Sequence, residues 1–430
     1  MFCQLELLRQ CFPPSVRRIL EELPDGLDET YERILRGIGK PNQGYAYRLL
    51  QCLVVAIRPL EVKELAEVLA FDFNTGGMPE LNPDWRWHDP KEAVMWSCSS
   101  LVTIVEDGDS QVVQFSHFSV KEFLTAGRLE EPIRDVTRYH IQLEAAHTIL
   151  AQVCLGVLLL DDRVDRNSIN NFPLARYAAH YWSTHARIKN VSSRIKDGME
   201  CLFDADKQHF ATWLWIYNED RPGRSMATMW PEKPDAVPLY YAAQLGFRDL
   251  AEHLIAAHPE HVSARGGSQI TPMHAAALAG QADILSLLIQ HGVDVNNRGR
   301  TGCTPLFLAL ENARLEAGQF LLNHGVDINS RNDVNNTALI YATMRGNIEF
   351  TRMLLEREAM ITVQCQSDMT PLHWAAGRGG IDVARLLLEH GADINARDKD
   401  GNTPAQLGSR SGHPEIVELL SEYRAKSATK

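Results

Sequence analysis

The chain has 430 residues, 45% of them apolar and 23% charged, the ordinary balance of a globular protein long enough for two to four domains. Its 55 acidic residues outnumber 43 basic ones, and the net charge of −12 excludes the broad cationic surplus on which nucleic-acid binders rely. Eight cysteines, at 3, 11, 52, 98, 154, 201, 303 and 365, form no Cys-x-x-Cys pair, which rules out zinc-ribbon and thioredoxin-type motifs and suits buried, reduced thiols.

The opening "MFCQLELLRQCF" lacks the basic segment and long apolar core of a signal peptide, so a cytoplasmic chain is expected, with the nucleus as an alternative. "SVRRILEELPDGLDETYERILRGI" predicts two helices. In the second, Leu27, Tyr31, Ile34, Leu35 and Ile38 share one face. "AYRLLQCLVVAI" reads as a buried helix, and "RPLEVKELAEVLAF" as a turn at Pro59 and a short helix. A loop spans 74–90. A further helix then runs into "LVTIV", the turn Asp107-Gly108 and "VVQFS", a β-hairpin. Three helices followed by a hairpin describe a winged helix. With 60–72 taken as its recognition segment, Glu61, Glu64, Glu67 and Asp72 against Lys63 would repel phosphate, so no nucleic-acid role is expected.

"AAHTILAQVCLGVLLL", 145–160, is too short to span a bilayer and predicts a buried helix rather than a membrane anchor. "FPLARYAAHYWSTHARI" places Leu174, Tyr177, Ala178, Tyr181 and Trp182 on one face, and "MECLFDADKQHFATWLWIY" predicts another aromatic helix. His180 and His185 do not fit a metalloprotease helix, and no metal site is expected anywhere in the chain. The proline-rich "DRPGRSMATMWPEKPD", 220–235, reads as a linker.

Beyond it the sequence is periodic. Thr271, Thr304, Thr337, Thr370 and Thr403 lie 33 residues apart, and each opens a related phrase such as "TPMHAAALAG" or "TPLHWAAGRGG". "VPLYYAAQLG" is an earlier copy from Val237. "HGVDVN", "HGVDIN" and "HGADIN" close three of the units. A fixed period of this length marks a helical solenoid. Thr-Pro, where present, starts the first helix of the unit. Small pairs, Ala276-Ala277 and Ala375-Ala376, let repeats approach, and Gly292, Gly325 and Gly391 end the second helix.

These phrases resemble the ankyrin repeat over roughly 236–424. The resemblance implies a concave, protein-binding face made of turn tips and first helices. At the variable position facing that groove the chain carries Tyr241, Ala275, Leu308, Tyr341, Trp374 and Leu407. Large side chains here suit partner anchors, and equally suit packing on the neighbouring helix. Arg298, Arg300, Arg331, Asp333, Arg397, Asp398, Lys399 and Asp400 sit at turn tips as a mixed-charge rim. In ankyrin repeats the histidine of "TPxH", here His274 and His373, joins adjacent loops, so neither is a catalytic candidate. The unit 337–369 departs from the pattern: Ala338 replaces proline, Glu358 replaces the terminal glycine, Met360-Ile361-Thr362 replaces Asp-x-Asn and Asp368 a turn glycine. It reads as tolerated drift, or as a soft joint whose missing contacts a partner supplies.

The order of parts, with "LPDGLDETYERIL", "RPLEVKELAEVLA" and "FSHFSVKEFL" ahead of the repeats, resembles the fungal NACHT–ankyrin proteins, a signal-transducing NTPase class that includes animal NOD-like receptors. By that resemblance 1–15 is the end of a NACHT module and 16–130 a winged helix. A helical region and linker then cover 131–235, ankyrin repeats 236–424 and a tail 425–430. The winged helix of such receptors ends in a phrase matched by Phe115, His117, Ser119, Glu122 and Phe123. It implies that His117 contacts the β-phosphate of ADP when a NACHT module is supplied, with Phe115 and Phe123 setting its perch. The chain itself has no P-loop. In "RGIGKPNQG" Ile34 stands where the first glycine is needed and Pro41 where Ser or Thr is needed.

The expected protein is therefore mainly α: a winged helix and helical region, then an ankyrin α-solenoid. It is expected to bind protein, to need no cofactor and to catalyse nothing, with no G-x-S-x-G and no paired nucleophile and base. An accessory or partial form of a nucleotide-switched receptor, able to associate with full-length NACHT relatives, is one alternative; an enzyme of unrecognised type is the other. In this chain alone, His117 is expected to be structural.

Overall fold

The computed structural model describes residues 26–74, 76–108, 110–126, 129, 136–160, 169–219, 237–266 and 270–428. The expected module remnant at 1–15, the first N-terminal helix and the linker at 220–235 lie outside the described residues. The chain divides into two compact units, Met1–Pro234 and Asp235–Lys430.

In the first unit, α1 (Leu27–Gly37) opens with Asp28 and Glu29 and closes with Arg36, charges that complement its dipole. It buries Tyr31 and Leu35, one helical turn apart. α2 (Gln43–Val55) is buried on most sides, as its apolar run predicts. A two-residue strand, β1 (Leu60–Glu61), precedes α3 (Val62–Glu67), where Glu61 and Glu64 form a reciprocal cap. β2 (Phe71–Asp72) pairs antiparallel with β3 (Glu80–Leu81) inside the expected loop. α4 (Pro90–Cys98) then leads into the hairpin of β4 (Val102–Asp107) and β5 (Ser110–Phe115). Register runs from Val102 opposite Phe115 to Asp107 opposite Ser110, and Gly108 takes φ +59° at the turn. β1 pairs with β5, giving the antiparallel order β1-β5-β4 that closes a winged helix.

This topology corrects the expected recognition segment. The helix directly before the hairpin is α4, not 60–72, which is divided among β1, α3 and β2. Glu64 and Glu67 present no charge to solvent either. Glu64 pairs with Arg58 at 2.5 Å; Glu67 pairs with Arg86 and accepts the Leu174 backbone N–H at 2.8 Å. Around α4 itself, Asp89, Lys91 and Glu92 leave no cationic surplus.

α5 (Phe118–Thr125) follows the hairpin. α6 (Leu143–Leu158) packs on α2 and on α7 (Ala175–Ala186). Phe71 lies so close to α6 that a Cβ on Gly156 would come within 2.6 Å of its ring. On α7 and the residue before it, Leu174, Tyr177, Ala178 and Trp182 are buried together, as their spacing predicts, while Tyr181 of the same expected face is only half-buried. α8 (Val191–Arg194), α9 (Lys196–Leu202) and α10 (His209–Glu219) complete the unit. The single aromatic helix expected at 199–217 is thus two, parted at Asp204, whose carboxylate accepts the Asp206 N–H. Residues 16–130 and 131–235 carry different sequence character, yet their described parts share one core.

The second unit is a series of antiparallel helix pairs: α11 (Pro238–Leu245) with α12 (Arg248–Ala257), α13 (Pro272–Ala279) with α14 (Ala282–Gln290), and α15 (Pro305–Glu311) with α16 (Leu315–Asn323). α17 (Ala338–Arg345) with α18 (Ile348–Glu356), α19 (Pro371–Gly377) with α20 (Ile381–Glu389), and α21 (Pro404–Arg410) with α22 (Pro414–Ala428) follow. The last helix runs into the expected tail, as far as Ala428. Each first helix packs on the next repeat's first helix, and each second helix on the next second helix. Ala276, Ala277, Ala375 and Ala376 are buried at these seams.

The divergent repeat keeps the geometry of the others. Thr337 caps α17 without proline, accepting the Ile340 N–H. Asn347 caps α18 through the Phe350 N–H at 3.0 Å. Asn329 of the preceding repeat accepts the Met360 N–H at 2.9 Å, the same link that Asn296 makes to the Asp327 N–H at 2.7 Å, so it survives the loss of Asp-x-Asn. These bonds hold the repeat's helix pair without the consensus residues. The cost is backbone strain: Glu358 and Asp368 adopt φ +59° and +55°, a region that favours glycine.

Candidate functional site

Tyr241, Leu308, Tyr341, Trp374 and Leu407 occupy one position of five first helices, and all are half-buried; Ala275 is buried. Their exposed parts and their packed parts are both real. Tyr341 donates its hydroxyl proton to Glu311 at 2.9 Å and accepts from Arg345 at 2.9 Å, while its ring meets Phe307 edge-on at 6.0 Å. Trp374 packs against Ile340, Val363 and Cys365, and its indole N–H is buried with no hydrogen-bond partner among the described residues. Leu407 lies over Gly377, where a Cβ would come within 3.3 Å. The row is therefore a partly packed ridge rather than a set of free anchors.

The tip residues divide into two groups. Arg298 donates to the Arg331 carbonyl and to Asp333, each at 3.1 Å. Arg331 in turn donates to the Gln364 carbonyl at 2.9 Å. Gly302 makes the first brace possible: a Cβ there would meet Arg298 and Asp333 at 2.3 Å. Arg298, Arg331 and Asp333 thus tie finger to finger. Arg397 donates to its own loop at Gly401, 2.9 Å away, and Asp398 accepts the Asp400 and Asn402 N–H groups. Arg300, Lys399 and Asp400 are exposed.

His274 and His373 act as inter-repeat clamps. His274 Nδ1 accepts the Thr271 N–H at 3.3 Å, which leaves Nε2 to donate to the Cys303 carbonyl at 3.1 Å, one finger on. His373 repeats this with Thr370 and the Asn402 carbonyl. Burial holds His274 down to about 4, so it stays neutral. Where Phe307 replaces the clamp, the Thr304 hydroxyl is left buried without a partner among the described residues.

His117 is not a core residue. It is exposed and caps α5, with Nδ1 accepting the Ser119 N–H at 3.3 Å and lying 2.6 Å from the Ser119 hydroxyl. That hydroxyl also meets Tyr31 at 2.8 Å. Phe123 is buried against Tyr31, whereas Phe118, stacked 4.3 Å from the imidazole, is 72% exposed.

Two features escaped sequence reasoning. On α4 and the loop before it, Trp85, Trp87, Met95 and Trp96 are exposed, with the Trp87 and Trp96 rings 5.4 Å apart. Inside the same unit a polar chain crosses the core. The Ile57 N–H donates to the Tyr177 hydroxyl at 3.1 Å; that hydroxyl lies 3.0 Å from His185 Nε2, and His185 Nδ1 lies 2.8 Å from His147 Nδ1. Burial, reinforced by His147, pulls His185 down to about 3. Spacing along α7 shows His185 on a buried face, but not which partners meet it there.

Fold and repeat locks define the class: an ankyrin-repeat protein with an N-terminal winged helix. Family comparison agrees, matching ankyrin repeats in three copies over 239–332, 330–398 and 363–430, and the winged-helix domain of GPI inositol-deacylase over 31–132. Among curated proteins the chain is 32% identical over 288 residues to the azaphilone pigments biosynthesis cluster protein L of Monascus ruber, a fungal relative. That match covers 63% of this chain and 60% of the relative, so the chain spans about three fifths of the relative's length. No helix among the described residues is long and apolar enough to cross a membrane.

Proposed function

We propose that this chain works by binding another protein through the first-helix face of its ankyrin array, and that it performs no chemistry of its own. The observation that carries the reading is the half-exposed row Tyr241, Leu308, Tyr341, Trp374 and Leu407, one side chain per repeat on a repeating scaffold. Packing of each first helix on the next supports that row, which lowers the ordering cost of association. The relative's name makes components of fungal pigment biosynthesis the first partners to test. A photo-crosslinker placed at Leu308 in the full chain would identify the partner by mass spectrometry. Tyr341→Ala should then weaken its binding by about 2 kcal/mol, roughly thirtyfold. Unchanged affinity across the row sinks the binding reading. Turnover of ATP or a simple ester, abolished by one substitution, sinks the non-catalytic one.

A second reading follows from His117 and Phe118, which stand exposed at the start of α5. It makes the chain a regulatory arm of a NACHT-type receptor, with His117 meeting ADP held on another polypeptide or on a further segment. Translation of the genomic DNA upstream of Met1 tests it directly. An in-frame P-loop supports the arm; its absence, with no association to a NACHT relative, removes it.

A further inference from the structure

The first repeat breaks the array's rhythm at one place. Where later repeats read "HGVDVN", "HGVDIN" and "HGADIN", this one reads "HPEHVS", residues 258–263. Pro259 cannot adopt the positive φ of Gly292, the residue at the same register. The chain instead turns into a short 3-10 helix, Pro259–Ser263, which packs on both α12 and α13.

That turn gathers three ligating side chains. His258 Nδ1 lies 3.4 Å from Glu260 Oε1, and His261 Nε2 lies 3.8 Å from the same oxygen. All three ligand atoms fall within 4.8 Å of one another. The imidazoles stack with centroids 4.8 Å apart at 24°. Two neutral imidazole nitrogens and one carboxylate oxygen are a donor set of the kind that divalent zinc takes at about 2.0–2.2 Å. Tetrahedral ligands at that bond length stand about 3.3–3.5 Å apart, close to two of the edges already present.

We propose that His258, Glu260 and His261 form a divalent transition-metal site, with three protein ligands and one position open to water or to a partner's side chain. The site is not the face discussed above, and it departs from the sequence expectation of no metal. Its ligands span only four residues, so little loop closure is needed to assemble it. An imidazole–carboxylate set favours zinc, nickel or copper over magnesium or calcium. Bound metal would staple the irregular finger of the first repeat.

The test uses the full chain, stripped by chelator and then titrated with zinc by calorimetry, with cobalt as a spectroscopic probe of ligand geometry. One equivalent should bind, and cobalt should give the intense visible bands of a low-coordinate nitrogen–oxygen site. H258A/H261A should lower the affinity at least tenfold without lowering the metal-free melting temperature. Glu260→Gln, which keeps the shape of the loop, should weaken binding as well. Binding that persists unchanged in both variants places the metal elsewhere and overturns the site. So does the lack of any binding to the unaltered chain at millimolar zinc.

Discussion

Acidification should unfasten the first unit through a single buried ring. His185 is fully buried, bonded to Tyr177 and His147, and titrates near 3 in the fold against an ordinary 6.5. Its folded value is depressed, so the unfolded chain binds the proton first. Stability is full above pH 6.5, declines as pH falls below it, and stops declining near 3. At pH 5 the gap to the unfolded value is 1.5 units, about 2 kcal/mol, and it widens as pH falls further toward 3. Seven of the eight tryptophans lie before residue 235, so intrinsic fluorescence reports chiefly on this unit. Urea denaturation at pH 7 and pH 5 should give a loss for the unaltered chain about 2 kcal/mol larger than the loss for His185→Gln, which cannot titrate. Comparing the two losses cancels the titrating groups that do not touch His185; His147, 2.8 Å away, is counted with it. Equal losses in the two proteins would show that His185 accepts its proton in the fold, and the buried-chain reasoning would be wrong.

Other substitutions separate packing from binding. Trp374→Ala should destabilise the array by about 3 kcal/mol because the ring fills the space beside Ile340 and Val363, whereas Trp374→Phe, which removes the unpartnered N–H, should cost much less; thermal melting distinguishes them. Glu358→Gly should stabilise the divergent repeat by about 1 kcal/mol by relieving its positive φ, and a lower melting temperature would contradict the strain assignment. Glu67→Ala strands Arg86 and the Leu174 N–H and should cost about 2–3 kcal/mol in urea titration, the partial exposure of Arg86 keeping the loss below that of a fully buried pair. Gly318→Ala would set a methyl 2.4 Å from the Phe350 ring, so it should lower the melting temperature although alanine is the better helix former.

The repeat array was legible because period, proline and glycine positions, and small seam residues all specify the same helix pair. The hairpin was legible from Asp-Gly between alternating strands. β1, β2 and β3 were not, since two-residue strands leave no periodicity to detect. Misplacing the recognition helix followed from that: without β1, residues 60–72 look like a third helix. Burial of Glu64 and Glu67 was invisible because carboxylates belong at the surface unless a partner waits, and Arg58 and Arg86 become partners only in the fold. Of the proposed face, the helix positions could be read in advance. The engagement of Arg298 and Arg331 with neighbouring carbonyls could not, because backbone acceptors have no signature in sequence.

Those arginine braces span the stretch where Phe307 and Ile340 stand in place of a clamping histidine. At His274 and His373 the lock is a shielded imidazole inside the array; here the fastening lies outside, within a visitor's grasp. An acidic ligand that claimed either guanidinium would have to undo the latch it took hold of. Grip and stiffness therefore trade against each other at the middle of the array, and a tightly held ligand there would leave its host more pliant than it found it.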